Sequence, residues 1–526
     1  MWSRAAAACL IVLATGAGAQ APLSAIDWLG REGAQPSIAP RAAPPPSDPR
    51  STQPFRPDEP PVADRVVVPE IEVRPLGAPD VSAVGLLPTR VTGLPVSLWQ
   101  GSTPDRLSAL IAEAEPAVPA LAALMNTLML AEADPPDAAG GSDAGFLAVR
   151  VMRLIEDGAL DAAAALLDRA GPDRRALFGL WFDVALLTGR EAEPCAALEA
   201  NPRLTEAVAP RVFCAARSSD WPRAQLAFET GRALGELRGR DADLLERFLS
   251  PEMAEELPAL PPPRDPSPLQ FRLHEAVGEP LPARSLKRRF AVAELSGDHG
   301  WKAQIEAAER LARTGALAEN RLLGIYTERS PAASGGVWER VEAVQDLEAA
   351  LQSGDADRIG GTLTRAWARM REARLLVPFA RLFGGQLAGL RLDGPAADLA
   401  LRTRFLSEDY EEAADSAVRT GGAEARFLAA LARGRAPVTD ADLPQADALA
   451  AAFADPRPAT PLTVLAGEAR LGEAILETMA LFRSGAAGNG GALTEAIATL
   501  RALGLEDTAR RAALQLAILG SEDARP

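Results

Sequence analysis

Apolar residues recur along most of this chain at helical rather than strand spacing. Leu147, Val151, Leu154 and Ile155 fall on one helix face, Asp157-Gly158 interrupts, and Leu160, Ala163, Ala164 and Leu167 resume the period. Leu186-Leu187-Thr188-Gly189 marks the next turn, and Ser218-Ser219-Asp220-Trp221 a third, followed by Ala224, Ala227 and Phe228. Asp220 is placed to cap the helix it opens, with Pro222 tolerated in the first turn; Thr103 with Pro104 makes a similar start further upstream. The three turns lie about 31 residues apart, near the roughly 34-residue period of helical-hairpin repeats. Residues 101–257 read as a first block of helical hairpins.

Pro258 to Pro268 breaks the pattern, with Pro261-Pro262-Pro263 inside it, and Gly278 to Arg289 is irregular too. Residues 258–300 therefore read as a Pro-rich connector. A second block, 301–526, opens with Trp301, Ile305, Ala308 and Ala312 on one face and a Thr314-Gly315 turn. Val337, Val341, Val344, Leu347 and Leu351 form a clear stripe, stopped by Ser353-Gly354-Asp355. Later turns fall near Asp409, between Gly485 and Gly491, and at Gly504, and the last helix aligns Ala509, Ala512, Ala513 and Leu516. Spacing is wider here, so the repeats are degenerate. The expected fold class is all-α: degenerate helical-hairpin repeats stacked as an α-solenoid.

The N-terminal part differs. Residues 66–100 combine β-branched runs, Val66-Val67-Val68 and Ile71-Glu72-Val73, with prolines that argue against a central strand, and then an irregular apolar stretch to Trp99. They read as a cap on the first helices. Residues 20–65 are dominated by Pro, Ala, Ser and Arg, cannot bury enough apolar surface to offset their chain entropy, and are expected to be disordered. Within them Ile26, Trp28 and Leu29 form a small apolar patch, a candidate docking motif on a leash. Met1–Arg4, the apolar Ala5–Ala14 and Ala17-Gly18-Ala19 follow the n-region, h-region and cleavage-site order of an export signal. Residues 1–19 are thus expected to be a signal peptide cut after Ala19. Its apolar run is shorter than the ~20 residues of a membrane span, and Cys9 sits inside the run rather than at its end, against a lipid anchor.

Charge narrows the function classes. The chain holds 55 basic and 71 acidic residues, for a formal charge of −16, or −17 once Arg4 leaves with the signal. A basic nucleic-acid-binding surface is not expected. Only Lys287 and Lys302 are lysines; every other basic residue is arginine. Aromatic content is 5% and alanine is abundant, which suits closely packed helices. Export and an Arg-, Ala-, Gly- and Pro-rich composition point to the periplasm of a Gram-negative cell, with secretion as the alternative.

After signal removal two cysteines remain, Cys195 and Cys214. In an oxidising compartment their spacing, which suits adjacent antiparallel helices, predicts a disulfide. Closing a loop of about 20 residues contributes roughly 3 kcal/mol in the chain-entropy account. The alternative is two buried thiols on neighbouring helices. His274 and His299 are the only histidines; neither has a second histidine at i+4, and their flanking carboxylates, Glu275 and Asp298, are adjacent residues that do not share a helix face. No phosphate loop and no Gly-x-Ser-x-Gly elbow occurs. No metal site, no cofactor and no catalytic residue is expected.

One stretch stands out as a candidate binding site. The small residues Ser334, Gly335 and Gly336 lead into a helix whose first amides can receive an anion. Arg329 and Arg340 add positive charge there, and Tyr326 and Trp338 add aromatic surface. Together they could hold a carboxylate or the end of a partner peptide; the alternative is an ordinary inter-hairpin loop with a core Trp338 and solvated arginines. Trp181, Trp221, Trp301, Trp338 and Trp367 read as helix-packing residues.

From about residue 101 to 526 the chain resembles tetratricopeptide and Sel1-like repeat proteins, through hairpins such as Ala215-Arg217-Asp220-Trp221-Ala224 and Leu311-Gly315-Leu317. The full tetratricopeptide pattern at fixed offsets is not met. In composition the chain is similar to exported helical proteins of alphaproteobacteria. The resemblance implies a concave surface that binds a partner: a periplasmic scaffold or adaptor in an envelope-associated complex such as the flagellar motor or cell-wall machinery. An acidic chain favours a partner with basic segments. The alternative is a peptidoglycan-acting envelope enzyme, similar to the superhelical part of soluble lytic transglycosylases, with a carboxylate as general acid. An enzyme should show a deep pocket holding a carboxylate of raised pKa; a scaffold should show a broad groove of apolar and arginine side chains. Deleting residues 20–61 is expected to leave the melting temperature unchanged in a thermal scan, whereas a large drop would mean that the segment is packed.

Overall fold

The segment Pro119–Leu130 reads PALAALMNTLML and has no charged position. A helix that is apolar on all sides belongs in an interior. In the computed structural model this helix is largely enclosed: Leu121, Leu124, Met125, Leu128 and Met129 are buried, and Ala123 is exposed. It packs against the helices Gly145–Glu156 and Glu506–Asp523, which belong to opposite ends of the helical region. The structure describes residues 81–137, 144–254, 257–296, 299–331, 333–438 and 440–525, all within a unit spanning Pro75–Pro526. The expected leader, the linker with Ile26, Trp28 and Leu29, and residues 66–80 lie outside the described residues.

The fold is all-α. Among the described residues β-type pairing is limited to one isolated bridge between Leu87 and Ala131. Helix boundaries follow the local chemistry. Thr103 accepts from the Arg106 amide at 3.3 Å, and Asp220 from the Arg223 amide at 3.2 Å, so each caps the helix it precedes. The three evenly spaced turns each carry a residue in the left-handed region: Gly158, Gly189 and Ser219, the last at φ 65°. Glycine adopts that region at little cost; Ser219 holds it without that freedom.

Neighbouring helices pack largely in chain order, and they build two cores. The larger takes residues from Val81 to Leu177 and again from Phe271 to Ala524. The smaller, from Phe178 to Leu273, includes Phe182, Cys195, Phe213, Cys214 and Phe228. The helix Arg175–Thr188 serves both, turning Leu177, Val184 and Leu187 to the first and Phe178, Phe182 and Leu186 to the second. The stretch 258–300 carries ordered structure: a helix Pro268–Ala276, opened by a Ser267–Gln270 capping box, and 3₁₀ turns at Ala283–Ser285 and Arg288–Leu295. Phe271 and Phe290 from this stretch meet ring to ring at 5.0 Å in the larger core.

The array closes on itself. The helix Pro104–Glu113 packs against Leu471–Ala486, and the Gly472 amide donates to the Leu98 carbonyl at 2.8 Å. Glu473, only 2% exposed, accepts from the Ser102 hydroxyl at 2.7 Å, Arg106 Nε at 3.2 Å and Arg470 Nε at 3.0 Å. Gly472 lies so close to Leu98 and Trp99 that an added Cβ would fall 2.5 Å from the Trp99 ring. The ends of the enclosed helix are satisfied from elsewhere in the chain. Gln515 Oε1 accepts from the Ala120 amide at 2.7 Å, while Arg150 donates to the carbonyls of Met129 at 2.9 Å and Ala131 at 2.7 Å.

Burial pushes the Glu473 carboxyl up, but hydrogen bonds from Ser102, Arg470 and Arg106 outweigh it and hold it below the ordinary glutamate range. A carboxylate depressed in the folded state contributes stability above its unfolded pKa, and that contribution is lost as pH falls through the folded value. Thermal melts of the wild type are therefore expected to weaken below about pH 4.5, with a flatter acid limb in Glu473→Gln. Glu473→Ala should cost roughly 2 kcal/mol in denaturant titration. That is less than for a fully buried pair, because Arg106 stays 48% exposed and Arg470 32% exposed. An unchanged acid limb in the glutamine variant would contradict this role.

Candidate functional site

The glycine-rich stretch at 326–340 is divided between core and surface. Tyr326 is fully buried, and its hydroxyl donates to Glu309 Oε1 at 2.8 Å. Arg340 closes a fork on the same carboxylate, Nε to Oε1 at 2.7 Å and Nη2 to Oε2 at 2.6 Å. This triad ties together the helices Trp301–Ala312, Glu319–Thr327 and Val337–Ser353. Burial, with the Glu309 charge beside it, pushes the Tyr326 hydroxyl well above its ordinary range. Trp338 rests on Trp301 at 5.1 Å, and Trp301 Nε1 donates to the Ile325 carbonyl. Arg329, Ser334 and Gly336 stay at the surface, with Gly335 half-buried. Arg329 pairs with its neighbour Glu328 at 2.9 Å, and Gln345 bonds the Tyr326 and Arg329 carbonyls. Tyr326 thus offers a ligand no face, and the Arg340 fork is occupied by Glu309.

Two cavities deserve comparison. The first, about 490 Å³, lies where the helices Pro104–Glu113, Gly145–Glu156, Trp301–Ala312 and Leu471–Ala486 end. Three of its arginines, Arg153, Arg288 and Arg483, meet partners within the fold. Arg153 donates to the Ile111 and Ala114 carbonyls and pairs with Asp157 at 2.7 Å. Arg483 pairs with Glu115 at 2.8 Å, and Arg288 lies 3.8 Å from Asp157. Helix carboxyl ends favour positive charge, which accounts for guanidiniums gathered there.

The second cavity, about 400 Å³, opens on the smaller lobe between the helix Ala192–Ala200 and the helices Val208–Arg217 and Trp221–Ala233. Its floor includes Cys195 and Cys214, whose sulfurs are bonded at 1.98 Å, together with Leu198, Ala215 and Ala227. Arg211, Arg217 and Arg223 line it against one carboxylate, Glu199. Arg211 Nη2 donates to the Pro202 carbonyl at 2.9 Å and to the Thr205 carbonyl. Arg217 and Arg223 are about half exposed; they contact Glu191 at 2.7 Å and Glu199 at 3.6 Å. Beside this floor, two exposed leucines lie on the same side of the helix Trp221–Ala233 and its C-cap as the cavity residues Arg223 and Ala227. Arg223, Leu226, Ala227, Thr230 and Leu234 share one helix face by their spacing. Leu226 is 69% exposed and Leu234 66%.

Carboxylates of raised pKa lie apart from both cavities. Burial pushes Asp183 up to about 6 against the opposing Arg289 charge, and pushes Glu294 up as well, yet neither lines either cavity. His274 is fully buried in the smaller lobe, with Nδ1 3.8 Å from Glu279 Oε2. Burial drives its pKa down, which keeps the ring neutral at pH 7.

Sequence reasoning located the cysteine pair but missed the arginines around it and the leucines beside it. Leu226 and Leu234 sit eight residues apart, Leu226 opposite the buried Ala224 and Phe228 and Leu234 to one side of them. Two apolar stripes on one helix were the available signal. Cys195→Ser with Cys214→Ser is expected to lower stability by about 3 kcal/mol in denaturant titration. Non-reducing peptide mapping should recover the two cysteines joined; two free thiols would refute the bond. Comparisons with protein-family models, with curated proteins and with solved structures return no match for this chain.

Proposed function

We propose that this chain is an exported, non-catalytic helical scaffold of the bacterial envelope, an α-solenoid of degenerate hairpins. Its smaller lobe captures a protein partner. The observation that carries the reading is the pair of exposed leucines, Leu226 and Leu234, on the helix whose Arg223 and Ala227 line an arginine-rich cavity floored by the disulfide. Isolated exposed leucines are ordinary, but apolar side chains continuous with a cavity mark a binding surface. Two further features support the assignment. The carboxylates whose pKa burial raises lie outside both cavities. No helix among the described residues is long and apolar enough to cross a membrane.

The lobe is built to hold its shape while a partner comes and goes. The disulfide fixes the helix Ala192–Ala200 to Val208–Arg217, and Phe182, Phe213 and Phe248 pack ring against ring at 6.0 Å behind them. A preformed surface spends less binding energy on ordering itself.

The test is a photo-crosslinking amino acid at position 226 of the full-length protein in its native cell, with position 464 as control. Val464 is 51% exposed and lies on the separate helix Thr460–Gly467. Position 226 should yield one discrete adduct with an envelope protein and position 464 none. Equal or absent labelling at the two positions would overturn the proposal.

A further inference from the structure

We propose that the groove of the smaller lobe takes an amphipathic helix whose apolar stripe is flanked by acidic residues. The inference rests on the adaptor reading and adds the chemistry of the partner.

Two observations fix that chemistry. The first is charge. The whole chain is acidic at −16, yet three arginines line this groove against one glutamate, and two of them, Arg217 and Arg223, are about half exposed while Arg211 is held by backbone carbonyls. Glu191 and Glu199 meet Arg217 and Arg223 through one nitrogen each, at 2.7 and 3.6 Å. A guanidinium carries five N–H donors, so most of their capacity faces outward. Carboxylates from a partner would be received here, and lysines repelled. A partner chosen by the net charge of the chain would be basic; the local surface selects the opposite sign.

The second is shape. The free stripe on the helix Trp221–Ala233 repeats at helical spacing from Arg223 to Leu234, a rise of roughly 16 Å, or three turns. A second helix laid along it would seat its own apolar stripe on Leu226 and Leu234 and over the disulfide floor. Strand addition has no template here, because regular structure among the described residues is helical.

The experiment uses fluorescence anisotropy of the full-length protein with three synthetic 18-residue peptides. One has a leucine stripe flanked by glutamates, one has lysines in place of the glutamates, and one keeps the glutamates but carries serines in the stripe. The glutamate–leucine peptide should bind at least about tenfold more tightly than either other, and rising salt should weaken it. Arg217→Glu with Arg223→Glu should reverse the preference; both residues are about half exposed, and circular dichroism checks that the double variant folds. Equal binding of the two leucine peptides by the wild type, or an unchanged preference in the double variant, would overturn the inference. If the lysine peptide binds better and Leu226→Arg blocks it, the acidic partner is wrong while the adaptor reading stands. If no peptide binds, the inference fails, and labelling at position 226 decides the adaptor reading separately.

Discussion

A helix enclosed on most sides must have its buried ends satisfied by something other than water, and the architecture of this protein turns on that requirement. The Pro119–Leu130 helix leaves unpaired amides at one end and unpaired carbonyls at the other. The Gln515 side chain meets the first of these needs and Arg150 the second. Arg150 is fully buried, and its recorded hydrogen bonds run to backbone carbonyls: those of Met129 and Ala131, and those of Ser82 and Val84. Burial lowers its pKa to about 10, so it remains charged at neutral pH. A single guanidinium thereby ties the cap segment to the carboxyl end of the central helix. Lysine, with three donors on a point charge, would not reach four carbonyls in this planar arrangement.

The same device recurs at four other junctions between elements. Arg153 receives the end of Pro104–Glu113, Arg272 the Leu186 carbonyl, Arg313 the Ala373 carbonyl, and Arg310 the carbonyls of Ala283 and Leu286. Hairpins rich in alanine bring their helices close and bury helix ends that a looser packing would leave wet. Arginine from the neighbouring hairpin answers those carbonyls. This gives the near-absence of lysine a structural consequence: the chain's cations are suited to planar, multi-donor contacts between stacked elements. The buried carboxylates Glu309 and Glu473 use the same chemistry in reverse, each collecting arginine from another helix.

Much of the helical framework is legible because its signals are local. The turns at Gly158, Gly189 and Ser219, the caps at Thr103 and Asp220 and the stripe from Val337 to Leu351 depend on residues within a few positions of one another. The cysteine pair was legible for a related reason, since only 19 residues separate the two. Closure was not, because Ser102 and Glu473 lie 371 residues apart and nothing in either neighbourhood names the other. Proline content alone hides order: within the stretch 258–300, Pro268 opens a helix and Pro282 precedes a 3₁₀ turn, and Phe271 and Phe290 enter the core. The loop at 326–340 looks like a site because tyrosine and arginine cluster there, but Glu309, one helix upstream, claims both. A readable sign of that was present. Glu309 and Arg150 each fall among apolar residues at helical spacing, and a charge on an apolar stripe announces a buried partner rather than a ligand.

On the proposed reading, function and fold divide between the two cores. The larger core is closed, and in its cavity Arg153 holds the end of one helix while Arg288 and Arg483 are paired with carboxylates. The smaller lobe holds the disulfide and leaves an apolar stripe uncovered, so it is where a partner can be received without disturbing closure. That division depends on the first helices being locked to the last. The most direct measurement is pulsed electron–electron resonance between spin labels on Asp105→Cys and Glu468→Cys in the disulfide-intact protein. Hairpin layers spaced roughly 8–10 Å apart would hold the ends of an open array many tens of ångströms from one another. Closure predicts one short, narrow distance that broadens only on unfolding. A long or broad distribution in the native protein would contradict it.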